Sequence, residues 1–156
     1  MLSDMASITV QHTTTYDAPP EAVFAAVTDV AREPEWQPQV LRTWQDPGGP
    51  VMVGTVIGRE RKIMGRPTVQ LSEVTAVRAN AILEMREQPG SGEPFRVSYL
   101  LTPVGPGSTR LKFAMEIEGV PRMFAPAVQR RLAGEVAAQF NKLGELLAAG
   151  WPAARS

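Results

Sequence analysis

The chain has 156 residues, 44% of them hydrophobic, which suits one domain with a real core. Acidic and basic residues balance at a net charge of +0 with neither sign clustered, an argument against a nucleic-acid footprint or a polybasic membrane attachment. The absence of cysteine excludes disulfides and thiolate chemistry, and a single histidine leaves no usual zinc set.

Met1-Leu2-Ser3-Asp4-Met5 has no basic leader segment, and nothing approaches the roughly 20 apolar residues that span a bilayer. No stable membrane anchor is expected, and the expected location is the cytoplasm. Residues 8–149 read as the core of one domain spanning 1–156, with 1–6 and 151–156 as tails.

Residues 8–16 are rich in β-branched side chains and predict a first strand, with Val10, His12, Thr14 and Tyr16 on one face. Asp17-Ala18-Pro19-Pro20 stops it, and a proline suits the first turn of the helix that follows. Residues 21–28 group Val23, Phe24 and Val27 on one side of a short helix, and a second short piece runs from 29 to about 34. Trp36-Gln37-Pro38 leads into a strand at 40–44, ended by the turn at 46–50. Further strands are predicted at 51–59, 62–64, 68–77 and 81–87, with Gly54, Gly58 and Gly65 admitting bulges and bends. In the last hairpin, Phe95, Val97, Tyr99 and Leu101 match Leu111, Phe113, Met115 and Ile117 across one buried face.

The segment 121–149 then carries Phe124, Val128, Leu132, Val136, Phe140, Leu143 and Leu147 as an apolar stripe. Such a helix runs roughly 40 Å. Pro126 predicts a separate first turn or a kink, and Gly150 with Pro152 ends the helix. There is no internal repeat and no linker.

This order resembles the START-like, or SRPBCC, superfamily of helix-grip proteins, and is most similar to its polyketide cyclase/dehydrase-like branch. The resemblance rests on Tyr16-Asp-Ala-Pro-Pro-Glu-Ala-Val-Phe24, Thr28-Asp29, Pro34-Glu-Trp36-Gln-Pro38 and Val53-Gly54-Thr55. It continues through residues 69–77, Ser98-Tyr99-Leu-Leu-Thr-Pro103, Gly107-Ser-Thr-Arg-Leu111 and Leu143-Gly-Glu-Leu-Leu147. The implied fold is α+β: a curved antiparallel sheet of six to seven strands wrapped around a long C-terminal helix, with two short helices after strand 1. The implied site is a cavity for an apolar small molecule. These motifs mark turns and packing and do not select among binders, enzymes and chaperone cofactors.

A single helix cannot fill a deeply curved sheet, which is an independent reason to expect a hollow. Trp36, Met64, Met85, Phe95, Tyr99, Phe113, Met115, Phe124 and Val128 are its candidate lining. His12 reads as an acid/base group or ligand anchor, or as a core histidine bonded to a neighbouring carbonyl, the second reading standing first. Tyr99 needs a partner for its phenol, from ligand or protein. Gln129 sits within the stripe's angular range and either meets ligand or touches water at its edge; Trp36 gates the mouth or packs. Arg59-Glu60-Arg61-Lys62 reads as a solvated strand edge. If a bulge shifts the register, Arg59 or Arg61 turns inward to meet an acidic head group.

No catalytic signature is present. The leading expectation is a binder of a hydrophobic small molecule: a lipid, a quinone or a polyketide-like compound. The alternative is a polyketide aromatase/cyclase or dehydratase using His12, Tyr99 or Arg59, without a metal or nucleotide cofactor. A protein-interaction module with a filled interior comes third.

Overall fold

The computed structural model describes residues 4–63 and 65–151; Met64 and the expected tail beyond 151 lie outside the described residues. Strand β1 (Met5–Tyr16) is followed by helix α1 (Pro20–Val27) and a 3-10 helix (Val30–Glu35). Then come β2 (Val40–Asp46), β3 (Val56–Ile63), β4 (Arg66–Arg78), β5 (Ile82–Glu87), β6 (Phe95–Gly105) and β7 (Ser108–Pro121). A short 3-10 turn (Arg122–Phe124) opens the long helix α2 (Ala125–Ala148). The strands form one seven-stranded antiparallel sheet in the order β1-β7-β6-β5-β4-β3-β2. This is the helix-grip arrangement expected from the resemblance.

The hairpin of β6 and β7 joins the two apolar faces its alternation predicts: Phe95 faces Ile117, Val97 faces Met115, Tyr99 faces Phe113 and Leu101 faces Leu111. The alternation excludes a slip of one residue, which would turn every apolar side chain to the wet face. Pro126 falls within the first turn of α2, where its missing N–H costs no helical bond, so the separate preceding turn takes the place of a kink.

Helix α2 is held at its C-terminal half. Val136, Phe140, Leu143 and Leu147 are buried, whereas Val128 and Leu132 are only half-buried and Phe124 is 55% exposed. Phe140 is the centre of the hold. Its ring lies 5.0 Å from Phe113, 5.5 Å from His12, 5.6 Å from Trp36 and 6.2 Å from Tyr99. Its carbonyl accepts a hydrogen bond from the Tyr16 hydroxyl at 2.7 Å. Gly144 lets the Tyr16 ring close in, since a Cβ there would stand 3.0 Å from Tyr16 Cε1.

Three expectations need correction. Residues 51–55 are a turn, not strand: Gly54 has φ of 95°, and the Thr55 hydroxyl accepts from the Met52 amide at 3.0 Å. Met5 and Ala6 are not tail but pair with Pro121 and Val120 at the sheet edge. Trp151 is buried, because the helix ends in a Schellman motif that folds the chain back: the Gly150 amide donates to the Leu147 carbonyl and the Trp151 amide to the Leu146 carbonyl, each at 3.0 Å. The Arg32 guanidinium then covers the Trp151 ring at 4.6 Å.

The uneven hold predicts uneven mutational cost. Phe140→Ala should lower unfolding free energy in urea by about 3–5 kcal/mol, as for a packed aromatic. Val128→Ala should cost under about 1 kcal/mol, because its side chain is only half-buried.

Candidate functional site

Between the sheet and the N-terminal half of α2 lies a cavity of about 660 Å³. Its apolar wall comes from Met85, Phe95, Val97, Phe113, Met115 and Ile117 on the sheet and Val128, Leu132 and Val136 on the helix. Ile63, Val69 and Phe124 also line it, all of them large and solvent-exposed, so they stand toward its mouth.

The opposite wall is polar. Along β3 and β4 the cross-strand pairs Ile57–Ser72, Arg59–Gln70 and Arg61–Thr68 succeed one another. Ser72, Gln70 and Thr68 line the cavity with Arg59 and Arg61, so this part of the sheet turns its polar side chains inward. Gln37, after the 3-10 helix, and Gln139, on α2, add two buried amides.

Arg59 is the best-satisfied member. Its Nε and Nη2 donate to the two carboxylate oxygens of Glu33 as a fork, the second bond being 3.0 Å, and Nη1 reaches the Ser72 hydroxyl at 3.1 Å. Arg59 is 7% exposed and Glu33 2%, so this is a buried ion pair. Burial alone would push the Arg59 guanidinium down, but the Glu33 charge and its hydrogen bonds outweigh this and raise it.

Arg61 has no such partner. Its Nη2 lies 3.4 Å from the Gln37 Oε1, a long hydrogen bond, and its Nε is buried with no partner. Burial and then the neighbouring Arg59 charge hold its guanidinium below the usual range. Tyr99 is shifted the other way: burial first, then the Glu33 charge, keeps its phenol protonated, against the pull of Arg59 and Arg61. Among the described residues no three acidic or histidine side chains stand together as a metal site.

Of the candidates read from the sequence, Arg59, Met85, Phe95, Tyr99, Phe113, Met115, Phe124 and Val128 border this space. Three do not. His12 is half-buried and stacks on Phe140 at an interplanar angle of 9°, so its ring serves the aromatic cluster. Trp36 is fully buried against the same ring rather than gating the mouth. Gln129 turns toward the sheet edge, where its Nε2 donates to the Thr9 carbonyl at 3.1 Å. The reading of residues 59–62 as a solvated edge also fails for Arg59. β3 is continuous through Ile63, so Arg59 and Arg61 share the inward face of Ile57 by ordinary alternation and need no bulge of their own.

Glu33, Gln37, Ser72 and Gln139 were not singled out by the sequence. Gln139 lies three residues after Val136 and four before Leu143, a spacing that marks it as facing inward. Nothing local marks Glu33, which is inward only because a 3-10 helix carries it over the sheet.

Two measurements follow. Replacing Glu33 with Ala should destabilise the protein by about 3–5 kcal/mol by stranding Arg59, while the double change Glu33→Leu with Arg59→Met should recover most of that loss in urea melts. Both tyrosines, Tyr16 and Tyr99, are shifted upward chiefly by burial. The unfolded chain ionises its phenols near about pH 10. Above that pH the folded state retains protons that the unfolded state has lost, so stability is complete below about pH 10 and falls as pH rises toward the folded values. Tyrosinate absorbance should therefore stay low in the native protein where the guanidinium-unfolded chain already titrates.

The comparisons fit this geometry. A START superfamily protein from Mycobacterium smegmatis is 23% identical, with a TM-score of 0.70 over 88% of this chain and 94% of that one. Norcoclaurine synthase from Thalictrum flavum, solved with dopamine and hydroxybenzaldehyde, is 15% identical, with a TM-score of 0.67 over 94% and 89%. The di-domain aromatase/cyclase BexL of the BE-7585A biosynthetic pathway is 16% identical, with a TM-score of 0.69 over 89% of this chain and 47% of that one. At these identities the likeness is one of fold. No curated protein matches the chain. Residues 7–148 match the family described as polyketide cyclase / dehydrase and lipid transport, and the chain belongs to that family.

Proposed function

We propose that the protein binds a hydrophobic small molecule between the sheet and the N-terminal half of α2. The observation that carries this reading is the cavity of about 660 Å³ beside a half-held helix. Ligand sites are commonly about 300–1,000 Å³, mostly apolar, with a few placed polar groups. Apolar walls without a guest forgo dispersion contacts, which a fitting molecule restores. The family description, which includes lipid transport, and the two aromatic molecules bound by norcoclaurine synthase support the same reading.

A second reading, an aromatase/cyclase- or dehydratase-like enzyme, is favoured by one observation: Tyr99 and Arg59 border the same space. A phenol kept protonated donates a hydrogen bond to a substrate carbonyl, and the walls hold a flexible chain in one conformation. His12 has no part in this arrangement.

Titration with the uncharged dye N-phenyl-naphthylamine, followed by solvent extraction and mass spectrometry of purified protein, tests the first reading. Saturable binding is expected, and Leu132→Trp should weaken it at least about tenfold by filling the space. No saturable uptake by the unaltered protein would end the reading. For the enzyme, Tyr99→Phe should lower turnover of a polyketide-like substrate by about a hundredfold or more. Unchanged turnover would remove Tyr99 from the chemistry.

A further inference from the structure

The cavity is two-sided in chemistry, and among the described residues one of its cations, Arg61, feels the Glu33 and Glu135 charges without an ion pair to either. Within it, Arg59 is neutralised by Glu33 through a fork of hydrogen bonds. Along α2, Arg131 is matched one turn on by Glu135, whose carboxylate lies 3.6 Å away. Lys62 and Arg96 also border the space, but their side chains are exposed to water. Arg61 remains. Its Nε is buried without a partner, and its Nη2 has only the long contact to Gln37.

We infer that the guest is an apolar molecule ending in a carboxylate, and that Arg61 is the residue that holds that end. The inference rests on the binding reading above and narrows it. An arginine does not shed its proton in a protein, so a guanidinium beside an oily space is relieved by gaining an anion rather than by neutralising itself. Its planar fork matches a carboxylate. A single buried cation suits the single negative charge of a carboxylate; Lys62 and Arg96 stand in water at the border of the space. Tyr99, protonated and within electrostatic reach of Arg61, adds a hydroxyl donor on the same side, and Gln139 adds an amide. The apolar remainder of the guest would lie along Met85, Val97, Met115 and Leu132.

The test compares dansyl-labelled undecanoic acid with its methyl ester on the unaltered protein, with N-phenyl-naphthylamine as the uncharged reference. The acid should bind about tenfold to a hundredfold more tightly than the ester, the range of a charge-assisted hydrogen bond in a partly dry site. Arg61→Met should abolish that preference, acid and ester then binding within about twofold of each other. Arg61→Lys, which keeps the charge and loses the fork, should retain part of the preference. If the dye saturates but acid and ester bind alike, the carboxylate inference is overturned and the binding reading stands. If the acid is preferred but Arg61→Met keeps the preference, the assignment to Arg61 is wrong. If neither dye nor acid binds saturably, the binding reading fails and takes this inference with it. Should Arg61→Met lose its native circular dichroism, the acid–ester comparison on the unaltered protein and the Arg61→Lys result still decide the matter.

Discussion

The contact of the Phe140 ring with Phe113, Trp36, His12 and Tyr99 is the constraint from which the rest of the architecture follows. Aromatic rings at these separations combine large buried area with favourable edge and offset geometry. The cluster joins strands β1, β6 and β7 and the end of the 3-10 helix to one point on α2. Tyr16 adds a hydrogen bond from β1 to the carbonyl of the same residue. With the helix fixed there, and the sheet curving away from a straight rod, contact at the other end of α2 is incomplete. The space left behind is therefore a product of where the packing is strongest.

A different force shapes the polar wall. Glu33 and Arg59 fasten the 3-10 helix to β3 by a buried ion pair where most of the interior uses apolar contact. Such pairs contribute little net stability, since the cost of removing both charges from water offsets their attraction. What the pair does supply is a fixed position for each group. It commits Arg59 to Glu33 and Ser72, and leaves Arg61, two residues along the same strand face, unmatched. Family membership, a partly oily hollow and this fixed polar edge point together toward recognition of a small organic molecule.

The sequence displayed the scaffold better than the site. Alternation in β6 and β7 was strong enough to give the buried face of each strand, and the four-residue stripe located α2. The polar wall was hidden because part of β4 inverts the usual rule: Ser72 is buried while Val69 is 49% exposed. Hydrophobic patterning assumes that the interior is oily, and it misreads a strand whose inward face serves a polar site. His12 is a different case. Its inward parity was sound, yet a ring on β1 meets the helix where the two are closest, so it stacks instead of reaching the open space. Glu33 had no periodic signal at all, since its placement depends on how a short 3-10 helix rides over the sheet.

Because α2 is clamped near Phe140, it acts as a lever. From Phe140 back to Ala125 the axis runs about 22 Å at 1.5 Å per residue. A tilt of about five degrees at the fulcrum would swing the far tip by about 2 Å, roughly half the width of a methyl group. The mouth beside Phe124 and the ring cluster thus stand on one helix some four turns apart, and the bond from Gln129 to the Thr9 carbonyl resists such a tilt on the far half.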